Sequence, residues 1–135
     1  MIVVDTNILA YHCLPGSKNT ETEKLLALNP EWAAPLLWRS EFRNVLCGYM
    51  RRGNLSAEEA REVVTMAAES LKGGEHVVTD HAVLTLVDQS RCTAYDCEFA
   101  ALAQALDCVL VTEDNALLSA FPLFCHSIEQ ALMRS

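Results

Sequence analysis

No apolar run in the sequence approaches the roughly 20 residues that a membrane-spanning helix needs, so no membrane association is expected. The opening Met1-Ile2-Val3-Val4-Asp5 has no basic stretch and no cleavage pattern. It does not read as a secretory signal but as a strand that begins at once. None of the six cysteines forms a C-x-x-C pair, which speaks against a zinc ribbon or a thioredoxin-like motif. Most lie in apolar segments, where a free thiol packs as a small hydrophobe. Reduced, buried cysteines are therefore expected, and with them a cytoplasmic protein. Cys97, beside Asp96, is the one candidate for a reactive thiol, with core packing the favoured role.

Cations are scarce. Ten Lys and Arg face eighteen Asp and Glu, for a net charge of −8. No lysine follows Lys72, and only Arg91 and Arg134 remain beyond it. A generic nucleic-acid coat needs a basic footprint, and this chain has none. An enzyme acting on nucleic acid is not excluded, because a divalent ion held by carboxylates supplies local positive charge. Four cations do gather in one place, at Arg39, Arg43, Arg51 and Arg52.

The 135 residues, 51% hydrophobic and 21% charged, suit one globular domain over 1–135 with a core that needs no staples. The chain has no repeat, low-complexity segment or linker. Val3 and Val4 lie in a short β-branched strand over 2–4. A helix is expected over about 20–28, capped by Thr20 with Glu23 three residues on. A short strand follows over 32–36, interrupted by Pro35. A helix over 37–52 stops at Gly53-Asn54. Ser56 and Glu59 form a capping box for a helix that runs to Gly73-Gly74. Residues 76–78 suggest a strand and 80–89 a helix. Thr93 opens a helix to about Leu106. Residues 108–111 are the clearest central strand. A short helix follows over 115–119, and Ser127 with Gln130 caps the last. Strands alternating with helices imply a three-layer α/β/α sandwich around a mainly parallel sheet. Ligands in such folds bind beyond the carboxyl ends of the strands.

Asp5 and Asp114 both fall just after strands. Each has a plain alternative role, as a strand-end turn residue or a helix cap. Glu41 lies beside the stripe Trp38, Phe42, Val45 and Tyr49. A carboxylate there is costly unless paired with an arginine or bound to metal. Asp96 starts the buried face marked by Phe99, Ala100, Ala103 and Leu106. It also suits the first turn of a helix capped by Thr93. Glu98, about 200° around that helix from Asp96, reads as solvated. Two acids after strands and two on inward helix faces can share one pocket. Clustered carboxylates repel unless a hard cation sits among them, and Mg²⁺ or Mn²⁺ at such a site activates water for phosphodiester cleavage.

The motifs have a family likeness. Val3-Val4-Asp5-Thr6-Asn7-Ile8-Leu9 resembles the start of a PIN domain. Ser40-Glu41-Phe42-Arg43-Asn44-Val45-Leu46 resembles its second acidic motif, and Tyr95-Asp96-Cys97-Glu98-Phe99 with Ala100-Ala101-Leu102-Ala103 the third. Leu110-Val111-Thr112-Glu113-Asp114 resembles the fourth. The order and spacing match across essentially the whole chain, whose size is similar to that of VapBC-type ribonuclease toxins. The resemblance implies Mg²⁺- or Mn²⁺-dependent RNA cleavage, a homodimer and a small antitoxin partner. It assigns Asp5, Glu41, Asp96 and Asp114 to catalysis and metal, with Thr112 and Asn7 in support. Glu113 competes with Asp114 for the fourth role. Arg43 is the candidate substrate contact. The dimer surface is expected from the apolar region 32–50, with Trp32, Leu36, Leu37 and Trp38, or from the C-terminal half.

A receiver domain would need paired acids near the first strand and a late lysine. A haloacid-type phosphatase would need Asp where Asn7 stands. Neither accounts for Glu41. The alternative that remains is a PIN-like module that binds RNA or protein without catalysis.

Overall fold

The computed structural model describes residues 1–134. The chain runs β1 (Ile2–Val4), α1 (Thr6–Cys13), α2 (Asn19–Leu28), β2 (Trp32–Pro35), α3 (Trp38–Arg51), α4 (Ala57–Ser70), β3 (Glu75–His76), α5 (Asp80–Asp88), α6 (Ala94–Ala105), β4 (Val109–Val111), α7 (Asn115–Ala120), β5 (Cys125–His126) and α8 (Ile128–Met133). Among the described residues the five strands form one parallel sheet in the order β3-β2-β1-β4-β5. The helices flank it, giving the expected three-layer α/β/α architecture.

β1 is central, pairing Val3 with Ala33 of β2 on one side and with Leu110 of β4 on the other. All of β1 is buried, which is why it reads as an unbroken apolar run. The strand order reverses between β1 and β4, and the crevice beyond their carboxyl ends is where such sheets bind ligands. Helix α6 packs on β1, β2 and β4. Its small Ala100, Ala101 and Ala103 are buried and let the helix approach the strands closely. It ends in two reverse bonds, Cys108 N to Ala103 O and Asp107 N to Gln104 O. Asp107 takes the left-handed φ of 51° that this ending requires. At the other edge, a Cβ on Gly74 would lie 2.1 Å from the Trp32 carbonyl oxygen, so glycine is required where β3 begins pairing with β2.

Several expectations need correction. Residues 6–13 form α1, where the sequence suggested only a turn after Asp5. Thr20 is not a cap: α2 begins at Asn19 with no side-chain cap bond. The Asn19 side chain instead ties down the preceding loop through Gly16 N, Tyr11 O and Leu14 O. The strand β5 went unread, since two residues carry no period. Trp32 and Trp38 are 2% and 0% exposed. They complete the protomer's own core and offer no surface to a second copy. The capping boxes at Ser56–Glu59 and Ser127–Gln130 stand as expected.

All six cysteines are free. Burial pushes the Cys13 thiol up to about 11 and that of Cys125 to about 12, and it raises Cys97 as well. Such thiols are inert packing groups rather than nucleophiles. Among the described residues no helix is long and apolar enough to cross a membrane.

Candidate metal centre

Asp5 leaves β1 and caps α1. Its Oδ1 accepts from Ile8 N at 3.1 Å, and its Oδ2 accepts the hydroxyl proton of Thr112. Thr112 follows β4 and is fully buried. Its Oγ1 also accepts from Asp114 N at 3.0 Å, and its own N–H reaches His126 O at 2.9 Å. One hydroxyl thus ties the end of β1 to the turn after β4. Asp114 then caps α7, accepting from Leu117 N at 3.1 Å. Both aspartates therefore do fill the capping roles that were their plain alternatives, and both also line one cavity.

That cavity, about 240 Å³, is walled by Asp5, Thr6, Asn7, Glu41, Asn44, Val45, Asp96, Phe99 and Asp114. The four acids singled out in sequence are brought together in it, with Asn7 beside them. Glu41 comes from the first turn of α3 and accepts from Thr6 Oγ1 at 2.7 Å. Asp96 comes from the first turn of α6, whose Thr93 caps it at 3.1 Å. Thr6 was missed because its helix was missed. Thr6 opens the helix that Asp5 caps, and from there its hydroxyl reaches α3.

The electrostatics follow from burial and crowding. Asp5, 8% exposed, has its pKa raised from 3.8 to about 6. Burial is the largest cause, and the charges of Asp114 and Asp96 add to it against the hydrogen bonds from Thr112 and Ile8. Burial also raises Glu41, with Asp96 adding and Thr6 opposing. Asp96 is raised by burial, then by Asp114, with the Thr93 hydroxyl opposing. Glu98 is a correction. It is half-buried rather than solvated, and its pKa is raised by burial and by the charge of Glu41.

Glu113 points elsewhere, with its Oε1 3.6 Å from Lys18 Nζ, so Asp114 is the residue of that pair that faces the cavity. Arg43 does not line the cavity. It is exposed, beside a separate groove between α3 and α4. Arg39 is committed to Glu75 by a bidentate pair at 2.7 and 2.8 Å.

Among the described residues no three His, Cys, Asp or Glu side chains are arranged to enclose an ion between them. The donor set is nonetheless all oxygen, mutually repelling, and anchored from behind by Thr112, Ile8, Thr6 and Leu117, which leaves carboxylate lone pairs for the cavity. Such a set fits Mg²⁺, which keeps several waters and needs only one or two direct carboxylates.

The PIN domain family model matches residues 2–121. No curated protein matches significantly. Among solved structures, PAE2754 from Pyrobaculum aerophilum is similar at TM-score 0.76 and 23% identity, over 98% of this chain and 87% of that one. FitAcB from Neisseria gonorrhoeae gives 0.74 at 14% identity, over 96% and 99%. A toxin–antitoxin complex from Klebsiella pneumoniae gives 0.67 at 19%, over 95% and 98%. At these identities the likeness is one of fold.

Proposed function

The chain belongs to the PIN domain family, and from that premise we propose that it is a metal-dependent endoribonuclease held in check by a small antitoxin. The observation that carries the reading is the convergence of Asp5, Glu41, Asp96 and Asp114 on one cavity at the strand-order reversal. A binding module has no need to hold repelling carboxylates together at the cost of raised pKa values.

Asp5, Asp96 and Asp114 would hold Mg²⁺ or Mn²⁺, directly or through water, with Glu41 close by. The bound ion would neutralise the scissile phosphate and lower the pKa of the attacking water. Thr112 fixes the Asp5 carboxylate, and Thr6 fixes that of Glu41. Asn7 and Asn44, on the cavity wall, offer neutral amides to the substrate backbone without adding to the negative charge. The substrate is single-stranded or loop RNA, and the products carry a 5′-phosphate and a 3′-hydroxyl. The six free thiols suit a reducing compartment, the cytoplasm.

The partner half of the reading draws on a second surface. An apolar groove of about 500 Å³ lies between α3 and α4, floored by Leu46, Met50, Ala60 and Val64 and edged by Arg43, Arg51 and Arg61. It suits an amphipathic helix whose rim is acidic. Of the solved structures similar in fold, one is a toxin–antitoxin complex from Klebsiella pneumoniae. A homodimer remains part of the proposal, now resting on exposed apolar side chains such as Leu84, Tyr95 and Leu123 rather than on the tryptophans. Light scattering across a dilution series reads it, and monomer mass at high micromolar concentration would remove it.

The test of the central reading is a Mn²⁺ titration by calorimetry beside an RNA cleavage assay. Wild type should bind Mn²⁺ and cleave RNA, and Asp96→Asn should lose both. Equal Mn²⁺ affinity in the two proteins would take Asp96 out of the site.

A further inference from the structure

The two helices that wall the acidic cavity also wall a second one. On α1, Asn7 faces the acidic cavity, while Tyr11 and Leu14, four and seven residues on, line the next. On α3, Asn44 and Val45 face the acidic cavity and Tyr49 lines the next. Residues four apart share a helix face and lie about 6 Å apart along its axis. The two cavities therefore follow one another along α1 and α3, with Asn7 and Tyr11, and Val45 and Tyr49, about one nucleotide step of an extended strand apart.

The second cavity, about 150 Å³, is closed by the loop from Leu14 to Lys18. Tyr11 and Tyr49 are half-buried and packed against the core, so their rings are held in place. Each ring has a cation beside it. Lys18 Nζ lies 5.0 Å from the Tyr11 centroid, and the Arg52 guanidinium lies 4.9 Å from that of Tyr49. Lys18 also reaches Glu113, the sequence neighbour of Asp114, which ties the loop closing this cavity to the turn after β4. Two fixed aromatic rings, a lysine on the wall and a slot the size of one base are what an unpaired nucleotide needs. Stacking on such rings tolerates any base, because every base has a π-face.

We propose that this cavity is a nucleobase subsite. It takes the base of the nucleotide next to the phosphate at the acidic cavity, against Tyr11 and Tyr49, with Lys18 on the linking phosphate. The assignment rests on the ribonuclease reading, and it predicts that the enzyme requires an unpaired base at that position.

The test uses two fluorescent probes with Mg²⁺ present. One is a short random-sequence RNA pool with phosphorothioate linkages, and the other is the same backbone with every base removed. Wild type should bind the base-bearing pool roughly tenfold or more tightly than the abasic one. Tyr11→Ala and Tyr49→Ala should each cut that preference severalfold, while Tyr11→Phe and Tyr49→Phe, which keep the rings and the packing, should preserve it. Equal or absent binding of the two pools by wild type would overturn the subsite, as would an undiminished preference in the folded Ala variants. Cleavage of ordinary RNA by the same preparations separates the two readings. Base-dependent binding without cleavage would sink the nuclease and leave the subsite, and cleavage without base dependence would do the reverse.

Discussion

Thr112 donates its hydroxyl proton to Asp5 Oδ2 across 107 residues of sequence. The hydroxyl oxygen of Thr112 in turn accepts the backbone N–H of Asp114. A single buried hydroxyl thus orients one acid and the turn that carries another.

Replacing that hydroxyl is the first prediction. Thr112→Val keeps the shape and removes the donor, leaving Asp114 N–H unsatisfied and Asp5 without its strongest stabilising bond. Mn²⁺ affinity at pH 7 is expected to fall about 10–100-fold, the usual cost of losing a group that orients a ligand. Thr112→Ser should recover most of it. Calorimetry reads the effect, and equal affinity in the Val variant would show that Asp5 needs no such support.

Acidity gives the second. Asp5 titrates at about 6 in the fold against an ordinary 3.8. Between those values the folded chain keeps a proton that the unfolded chain has released. Its contribution is therefore full below pH 4 and lost as pH rises through 6, about 3 kcal/mol in all. In EDTA, the Tm difference between Asp5→Asn and wild type should move in the variant's favour across that interval. Mg²⁺ at pH 7 should raise the Tm of wild type and not that of the variant. A pH-independent difference between the two proteins would show that Asp5 is not held protonated by its surroundings.

Asp5 and Asp114 were legible in sequence because each follows a strand, and Glu41 and Asp96 because each puts a carboxylate on or beside an apolar helix face. Glu41 lay beside the Trp38–Phe42 stripe and Asp96 at the head of a buried helix face. What was not legible depended on direction. Thr6 acquires its role only once residues 6–13 are known to coil. In sequence, Asp5-Thr6-Asn7 is equally a turn. Glu98 read as solvated from its angle on α6 alone, since the position of α3 opposite it is a tertiary fact. Trp32 and Trp38 looked surplus to a small core until β2 and α3 placed both inside it.

The arginines between 39 and 52 give the third prediction, because the structure divides them. Arg39 is paired with Glu75 and lies over the Trp38 ring. Arg39→Ala should cost below about 1 kcal/mol of stability and leave partner binding unchanged. Arg43→Glu and Arg61→Glu should leave RNA cleavage intact and weaken capture of an acidic amphipathic helix severalfold at low salt. The salt dependence should flatten too. Cleavage lost in Arg43→Glu would return that residue to the substrate path.

Glu41 and Asp96 give the fourth. Each is raised in pKa by burial and by a neighbouring charge. Glu41→Gln and Asp96→Asn should therefore melt at or above the wild-type temperature in EDTA at pH 7, and gain less from Mg²⁺. A variant that melts well below wild type in EDTA would mean that its carboxylate supports the fold rather than the site.

The most direct measurement is the chemistry of the cut ends. RNA is incubated with wild type and with Asp5→Asn, in Mg²⁺ and in EDTA, and the termini are read by enzymatic ligation and mass. Cleavage is expected only for wild type in Mg²⁺, with a 5′-phosphate and a 3′-hydroxyl at each cut. Cleavage that persists in EDTA or in Asp5→Asn, or a 2′,3′-cyclic phosphate at the ends, would contradict the account.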